Sequence, residues 1–168
     1  MKSRALFLLF LILVSCNKQD EETLHIIILN ETDVSIDITL YPKKDFWGES
    51  GDTYRFSDIR NVYRYTSFSL WRGNYMELFT SSNLDINPYV LAAKVFDSIL
   101  ISIPDKDVSI KFTHSSVTGY SENLFSEYSN WNFKSIRMCF TKPPRPDDCS
   151  RVHNVFMFEI SEDKMTIE

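Results

Sequence analysis

Glycine is scarce in this chain, with four in 168 residues. A phosphate-cradling loop needs several at fixed spacing, so nucleotide binding through such a loop is excluded. Histidine is as sparse. His25, His114 and His153 are scattered, with no His-x-x-x-His pair and no paired cysteines beside them, so no metal site and no cofactor is expected. His25 lies inside an apolar run and reads as a satisfied core or sheet-face residue. Neither Gly-x-Ser-x-Gly nor a Ser-x-x-Lys set occurs, which removes the familiar serine-nucleophile arrangements. The acidic clusters Asp105-Lys106-Asp107 and Asp147-Asp148 lack the glycine turn of a calcium loop and read as solvated turns. Basic charge is also short. The formal net charge is −5, and without Lys2 and Arg4 the remainder carries 16 basic against 23 acidic residues. Such a surface repels nucleic acid, and no nucleic-acid partner is expected. Finally, the apolar run Ala5–Val14 has ten residues, half of the roughly 20 needed to cross a bilayer as a helix.

That short run is informative for what surrounds it. Lys2 and Arg4 precede it, and Leu13-Val14-Ser15-Cys16 ends it. A charged start, an apolar stretch of this length and a small residue at the exit fit a secretory signal peptide, with a buried N-terminal helix or strand as the alternative. The polar, acidic run Asn17-Lys18-Gln19-Asp20-Glu21-Glu22 follows.

Leu13-Val14-Ser15-Cys16 resembles the lipobox of bacterial lipoproteins: an aliphatic residue, a variable one, a small one, then cysteine. The resemblance implies cleavage after Ser15, lipidation of Cys16 and a mature chain beginning there. It also implies a membrane partner, reached through the lipid. Each buried CH₂ of an acyl chain contributes about 0.8 kcal/mol, and a single chain holds only weakly; a diacylglyceryl group with an added amide-linked chain anchors stably. The acidic run after Cys16 is similar to the surface-export signal of Bacteroidota lipoproteins. That likeness implies an outer-membrane, lipid-anchored protein exposed at the cell surface. The alternatives are an ordinary polar tether and a periplasmic orientation. The expected organisation is a signal peptide over 1–15, a lipidated Cys16 with tether over 16–23, and one domain over 24–168.

Beyond the tether the chain reads as strands. Leu24–Leu29 is a nearly continuous apolar run, as in a strand buried on both faces. Val34, Ile36, Ile38 and Leu40 alternate with polar residues, and Asn30–Asp33 between the two runs predicts a hairpin. A second hairpin pairs Ile99, Ile101 and Ile103 with Val108, Ile110 and Phe112 across Pro104–Asp107. A third joins Ile136, Met138 and Phe140 to Phe156, Phe158 and Ile160 across a proline-rich connection. Tyr75–Thr80 and Phe68–Trp71 are further strand candidates. Asn87-Pro88 predicts the start of a short helix over Tyr89–Val95. The expectation is an all-β fold: a single antiparallel β-sandwich, immunoglobulin-like or similar, of about six to eight strands with at most one short helix. Small surface lipoproteins of Bacteroidota are similar in style, and that likeness assigns no activity.

Three constellations remain. Cys139 and Cys149 are ten apart, and in an exported chain that favours a disulfide stapling the third hairpin, worth roughly 2–4 kcal/mol. Free thiols are the alternative. Trp47, in Phe46-Trp47-Gly48-Glu49, Trp71, in Trp71-Arg72-Gly73-Asn74, and Trp131 are candidate ligand contacts, each weighed against a place in the core. Residues 45–75 hold nine aromatics and four arginines, but Asp45, Glu49, Asp52 and Asp58 offset the arginines, which favours cation–π and sheet-surface pairing. Asp97-Ser98-Ile99 resembles the short O-glycosylation motif of exported Bacteroidota proteins, which makes Ser98 a candidate glycosylation site. Ser98 as an ordinary strand residue is the alternative. The function expected from all this is a non-enzymatic binding or accessory module whose partner is a glycan or another envelope protein. A structural or assembly component of the envelope is the second reading. A hydrolase built on paired carboxylates is the third.

Overall fold

A computed structural model describes residues 23–44, 59, 60, 62, 67–85, 87–139 and 151–166. Among the described residues, ten strands form two five-stranded sheets that pack face to face as a sandwich. They are β1 (Leu24–Asn30), β2 (Ile36–Pro42), β3 (Ile59–Arg60), β4 (Ser67–Leu70), β5 (Tyr75–Ser81), β6 (Phe96–Ile103), β7 (Val108–Thr113), β8 (Val117–Thr118), β9 (Asn132–Arg137) and β10 (Val152–Ile160). The order is β3-β5-β1-β10-β9 in sheet A and β4-β2-β6-β7-β8 in sheet B. The fold is a β-sandwich with one short helix among the described residues, α1 (Pro88–Val95).

Sequence pattern explains most of this. In β2 and β6 alternate residues are buried, so Ile36, Ile38, Leu40, Ile99, Ile101 and Ile103 face the other sheet. β6 and β7 form the expected hairpin, with Ile101 opposite Ile110. Its turn is a 3-10 turn over Pro104–Lys106, closed by Asp107 with φ of 52°, a left-handed conformation that Asp adopts more readily than most residues. β9 and β10 also pair antiparallel, though β9 ends at Arg137, so Met138 falls outside the strand. Phe140 and the proline-rich connection lie outside the described residues. In α1, Pro88 occupies the first turn, where its missing N–H costs nothing. Asn87 precedes it without a side-chain capping bond.

Two expectations are corrected. β1 and β2 are not a hairpin. Sheet A takes β1 and sheet B takes β2, and the intervening residues cross between the sheets. A strand with both faces buried seeks two neighbours and a central place. β1 finds β5 on one side and β10 on the other. The sandwich is also not wholly antiparallel, because β1 and β10 run parallel from Leu24↔Asn154 to Asn30↔Ile160.

The register defines two poles. Leu24, Pro42, Ser81, Phe96 and Val152 sit at the proximal pole, where the chain enters β1. Asn30, Ile36, Tyr75 and Ile160 sit at the distal pole, as do the β4–β5 and β6–β7 turns. Helix α1 passes from sheet A to sheet B at the proximal pole and buries Leu91, Ala92 and Val95 in the main core. Lys43 N–H donates to Val95 O there at 2.9 Å.

The β8–β9 connection closes one flank. Tyr120, Phe112 and Trp131 surround Phe158, with ring centroids 6.2 Å, 5.5 Å and 5.5 Å from it. Gly119 begins this connection at φ +78°, where a Cβ would stand 2.8 Å from Ser109 O, so only glycine fits. Tyr120 Oη donates to Glu159 O at 2.9 Å and accepts from Ser161 N–H at 3.1 Å. Burial raises the Tyr120 phenol above its ordinary value, outweighing the Ser161 bonds that favour ionisation. An acid whose folded pKa is raised supports the fold below the unfolded pKa, near 10. That support fades as pH climbs through the folded pKa. Tyr120→Phe therefore costs about 1 kcal/mol near neutrality, and it flattens the loss of stability above about pH 10. Urea unfolding of both proteins across pH 7 to 11 measures this; parallel curves refute it.

Candidate functional site

The distal pole is built around Asn30, which is fully buried. Its amide nitrogen donates to Val34 O at 2.8 Å and Leu70 O at 2.9 Å. Its Oδ1 accepts from Thr32 N–H at 3.0 Å and Thr32 Oγ at 2.7 Å. The backbone of the same residue reaches the β4–β5 turn: Asn30 N–H donates to Asn74 O, and Gly73 N–H donates to Asn30 O at 2.7 Å. One side chain and its peptide groups thus hold two of the crossovers between the sheets, 30–35 and 71–74.

Trp71 heads the second crossover. Asn74 N–H donates to Trp71 O at 3.0 Å, which closes a four-residue turn. Gly73 supplies φ +70° at its third position. The turn is pinned from beneath, yet the Trp71 side chain is 70% exposed, the highest of the exposed large apolar side chains among the described residues. A rigid turn holding an open indole at a sandwich pole suits it to stacking against a partner. Beyond it at the same pole, Lys106 Nζ lies 2.6 Å from Glu162 Oε1 and 3.3 Å from Asp33 Oδ1. Asp33 is held below the usual carboxylate range, first by its hydrogen bond with Glu162 and then by Lys106. Lys106 is raised by the bond to Glu162 and, less, by Asp33. All three groups are solvated and worth little to stability.

The other expected residues fare differently. Trp131, expected as a third contact, is interior: it is 3% exposed, packs on Phe158, and its Nε1 donates to Leu124 O at 3.0 Å. An indole N–H that finds a carbonyl inside a core has no surface role. Trp47 lies outside the described residues, as do Cys16 and Cys149. No disulfide joins two described residues, and the backbone carbonyl of Cys139 accepts from Tyr75 Oη at 2.6 Å. Ser98 is half-buried in β6, a central strand, between Tyr41 on β2 and Thr113 on β7.

One constellation was invisible in the sequence. On the outer face of sheet A, Glu77, His25 and His153 come from neighbouring strands β5, β1 and β10. His25 Nδ1 lies 2.5 Å from Glu77 Oε1, and its Nε2 lies 3.2 Å from His153 Nδ1. The groups bond in line instead of converging. Both ring nitrogens of His25 are used, so they offer no common point to a cation, and no three His, Cys, Asp or Glu among the described residues could hold a metal. His25 is thus a satisfied sheet-face residue. Separations of 52 and 128 residues carry no sequence signal; only the strand order brings these groups together. His114 is likewise structural, with Nε2 2.8 Å from Phe96 O and its ring stacked on Phe125.

Asn30→Ala strands two buried carbonyls and the Thr32 donors, so it destabilises the fold by roughly 2–4 kcal/mol. Trp71→Ala, on the surface above, changes stability by no more than about 0.5 kcal/mol. Urea unfolding of the two variants separates the pin from the surface it presents. No family model matches the chain, and no curated protein matches it.

Proposed function

We propose that the chain is a bacterial lipoprotein, anchored through Cys16 at the outer membrane and exposed at the cell surface, which acts as a non-enzymatic binding module with Trp71 as its contact. The observation that carries this reading is one of placement. The chain enters β1 at Leu24 on the proximal pole, and Trp71 stands at the distal one. The six steps of β1 span about 20 Å, so a tether on one pole turns the open indole on the other away from the anchor. The stretch from Cys16 to Leu24 reaches at most about 28 Å when extended, which keeps the domain near the membrane while leaving that pole free. The lipobox-like residues supply the anchor, the acidic run after Cys16 supports export, and exposure at a pinned turn supports contact.

An oxidising compartment follows from this reading, and with it a disulfide between Cys139 and Cys149. It would close the β9–β10 connection.

Labelled palmitate should enter the wild-type protein and be absent from Cys16→Ser, while external protease should remove the protein from intact cells. Label retained in Cys16→Ser sinks the anchor, and protection from protease sinks the surface location. The intact mass before reduction should be lower by two hydrogens than after it; equal masses exclude the disulfide. For binding, a glycan array and a pull-down from envelope extract supply the ligand. Trp71→Ala should then weaken it about tenfold or more, the effect of a hot-spot aromatic, with the unfolding curve unchanged. Full affinity in a folded Trp71→Ala protein removes the contact assigned here.

A further inference from the structure

Strand β9 is the edge strand of sheet A among the described strands, and nearly all of its residues are exposed. Its pairing with β10 sets three rows of side chains on the face that sheet A turns toward sheet B: Phe133 with Phe156, Ser135 with Asn154, and Arg137 with Val152. Farther into the sandwich that face is core, and Phe156 is itself buried there. At the edge it is open, because Phe133 is 51% and Val152 60% exposed. The rows therefore form a ledge. Tyr128, from the 3-10 turn Tyr128–Asn130, brings a further ring against Phe156.

The chemistry changes along the ledge. One end is aromatic: Phe133 and Tyr128 flank Phe156 with centroids 5.0 Å and 5.3 Å from it, and both outer rings are about half-exposed. The middle is polar, with Ser135 Oγ donating to Asn154 Oδ1 at 2.9 Å at the surface. The last row carries the Arg137 guanidinium, which is exposed and forms no ion pair with a described residue. Lys134, on the opposite face, is engaged with Glu159 at 3.6 Å.

We propose that this ledge binds a short oligosaccharide carrying a carboxylate. An exposed ring presents a flat apolar face with a negative quadrupole to the C–H face of a pyranose. The hydroxyl and amide of the next row meet sugar hydroxyls, and a guanidinium forks onto a carboxylate. Three rows span about 13 Å at strand spacing and two strands give a width near 10 Å. The resulting area is on the order of 150 Å², far below the roughly 800 Å² per partner of a stable protein interface. Size thus argues against a second copy or a protein, and the exposed guanidinium at one end, unpaired among the described residues, argues for an acidic ligand. The ledge runs toward the proximal pole, away from Trp71, and its ligand does not depend on the Trp71 contact or on the lipid anchor.

The test is calorimetric titration of the full chain in detergent with galacturonate, alginate and hyaluronan oligosaccharides, beside neutral cellotriose and maltotriose. At least one acidic oligosaccharide should bind with a Kd of about 1 mM or tighter, and more tightly than either neutral one. Phe133→Ala, a half-exposed edge residue whose loss leaves the core intact, should weaken that ligand about tenfold. Arg137→Gln should erase the preference for acid over neutral. No binding by any acidic oligosaccharide, equal affinity for neutral ones, or full affinity in a folded Phe133→Ala protein would each overturn the proposal.

Discussion

The two sheets are held in register by what Asn30 does at the distal pole. A sandwich has to pass its chain from one layer to the other, and those crossings leave backbone groups that belong to neither ladder. Buried without partners, each would cost about 1–3 kcal/mol. Here two crossings run side by side, and the carboxamide of Asn30 serves both, donating to Val34 O and to Leu70 O. Thr32 completes the arrangement by bonding to Oδ1 through its backbone and its hydroxyl. Of the side chains, an amide alone offers two donors and a strong acceptor in one plane without a charge to desolvate. Among the described residues, no buried side-chain nitrogen or oxygen lacks a partner.

This explains how β1 can be so apolar and still be placed uniquely. A strand with both faces buried carries little information about which face is which. Ile26 and Ile28 enter the main core, while Ile27 joins Val155 and Met157 in a smaller cluster on the outer face. Slipping the strand by one residue would exchange isoleucine for isoleucine at little cost in burial. Asn30 at one end and His25 at the other make the slip expensive. The first would lose its four side-chain bonds, and the second would turn from Glu77 and His153 into the sandwich interior. Two polar residues thus fix a register that five apolar ones leave open.

Much of the architecture was legible because its signals are local. The alternation in β2, β6 and β7 gave strands and faces, and Asn87-Pro88 gave the start of the helix. The crossover at Asn30–Asp33 was misread as a hairpin because a polar turn between two apolar runs looks the same in both cases. What separates them is the neighbours β1 acquires, and β10 lies more than a hundred residues away. The Glu77–His25–His153 chain is hidden for the same reason. Tryptophan shows the limit most clearly: Trp71 and Trp131 both sit among polar residues in sequence, yet one is open and the other is enclosed around Phe158. Exposure depends on what packs above a side chain, which sequence neighbours do not report.

The distribution of these features along the sandwich has its own logic. Both crossovers pinned by Asn30 lie at the pole opposite Leu24, so this bonded backbone supports Trp71 and not the point where the chain enters. A contact residue on a rigid turn loses little conformational freedom when it binds, and that freedom is a main cost of association. The ledge on β9 and β10 shares this property, since its rings rest on Phe156, which belongs to the core. Both surfaces are exposed side chains set on backbone that the fold has already paid to order. That is the physical reason to propose binding at these two positions and not at the solvated Lys106 cluster, whose charged side chains would have to be immobilised anew each time a partner arrived.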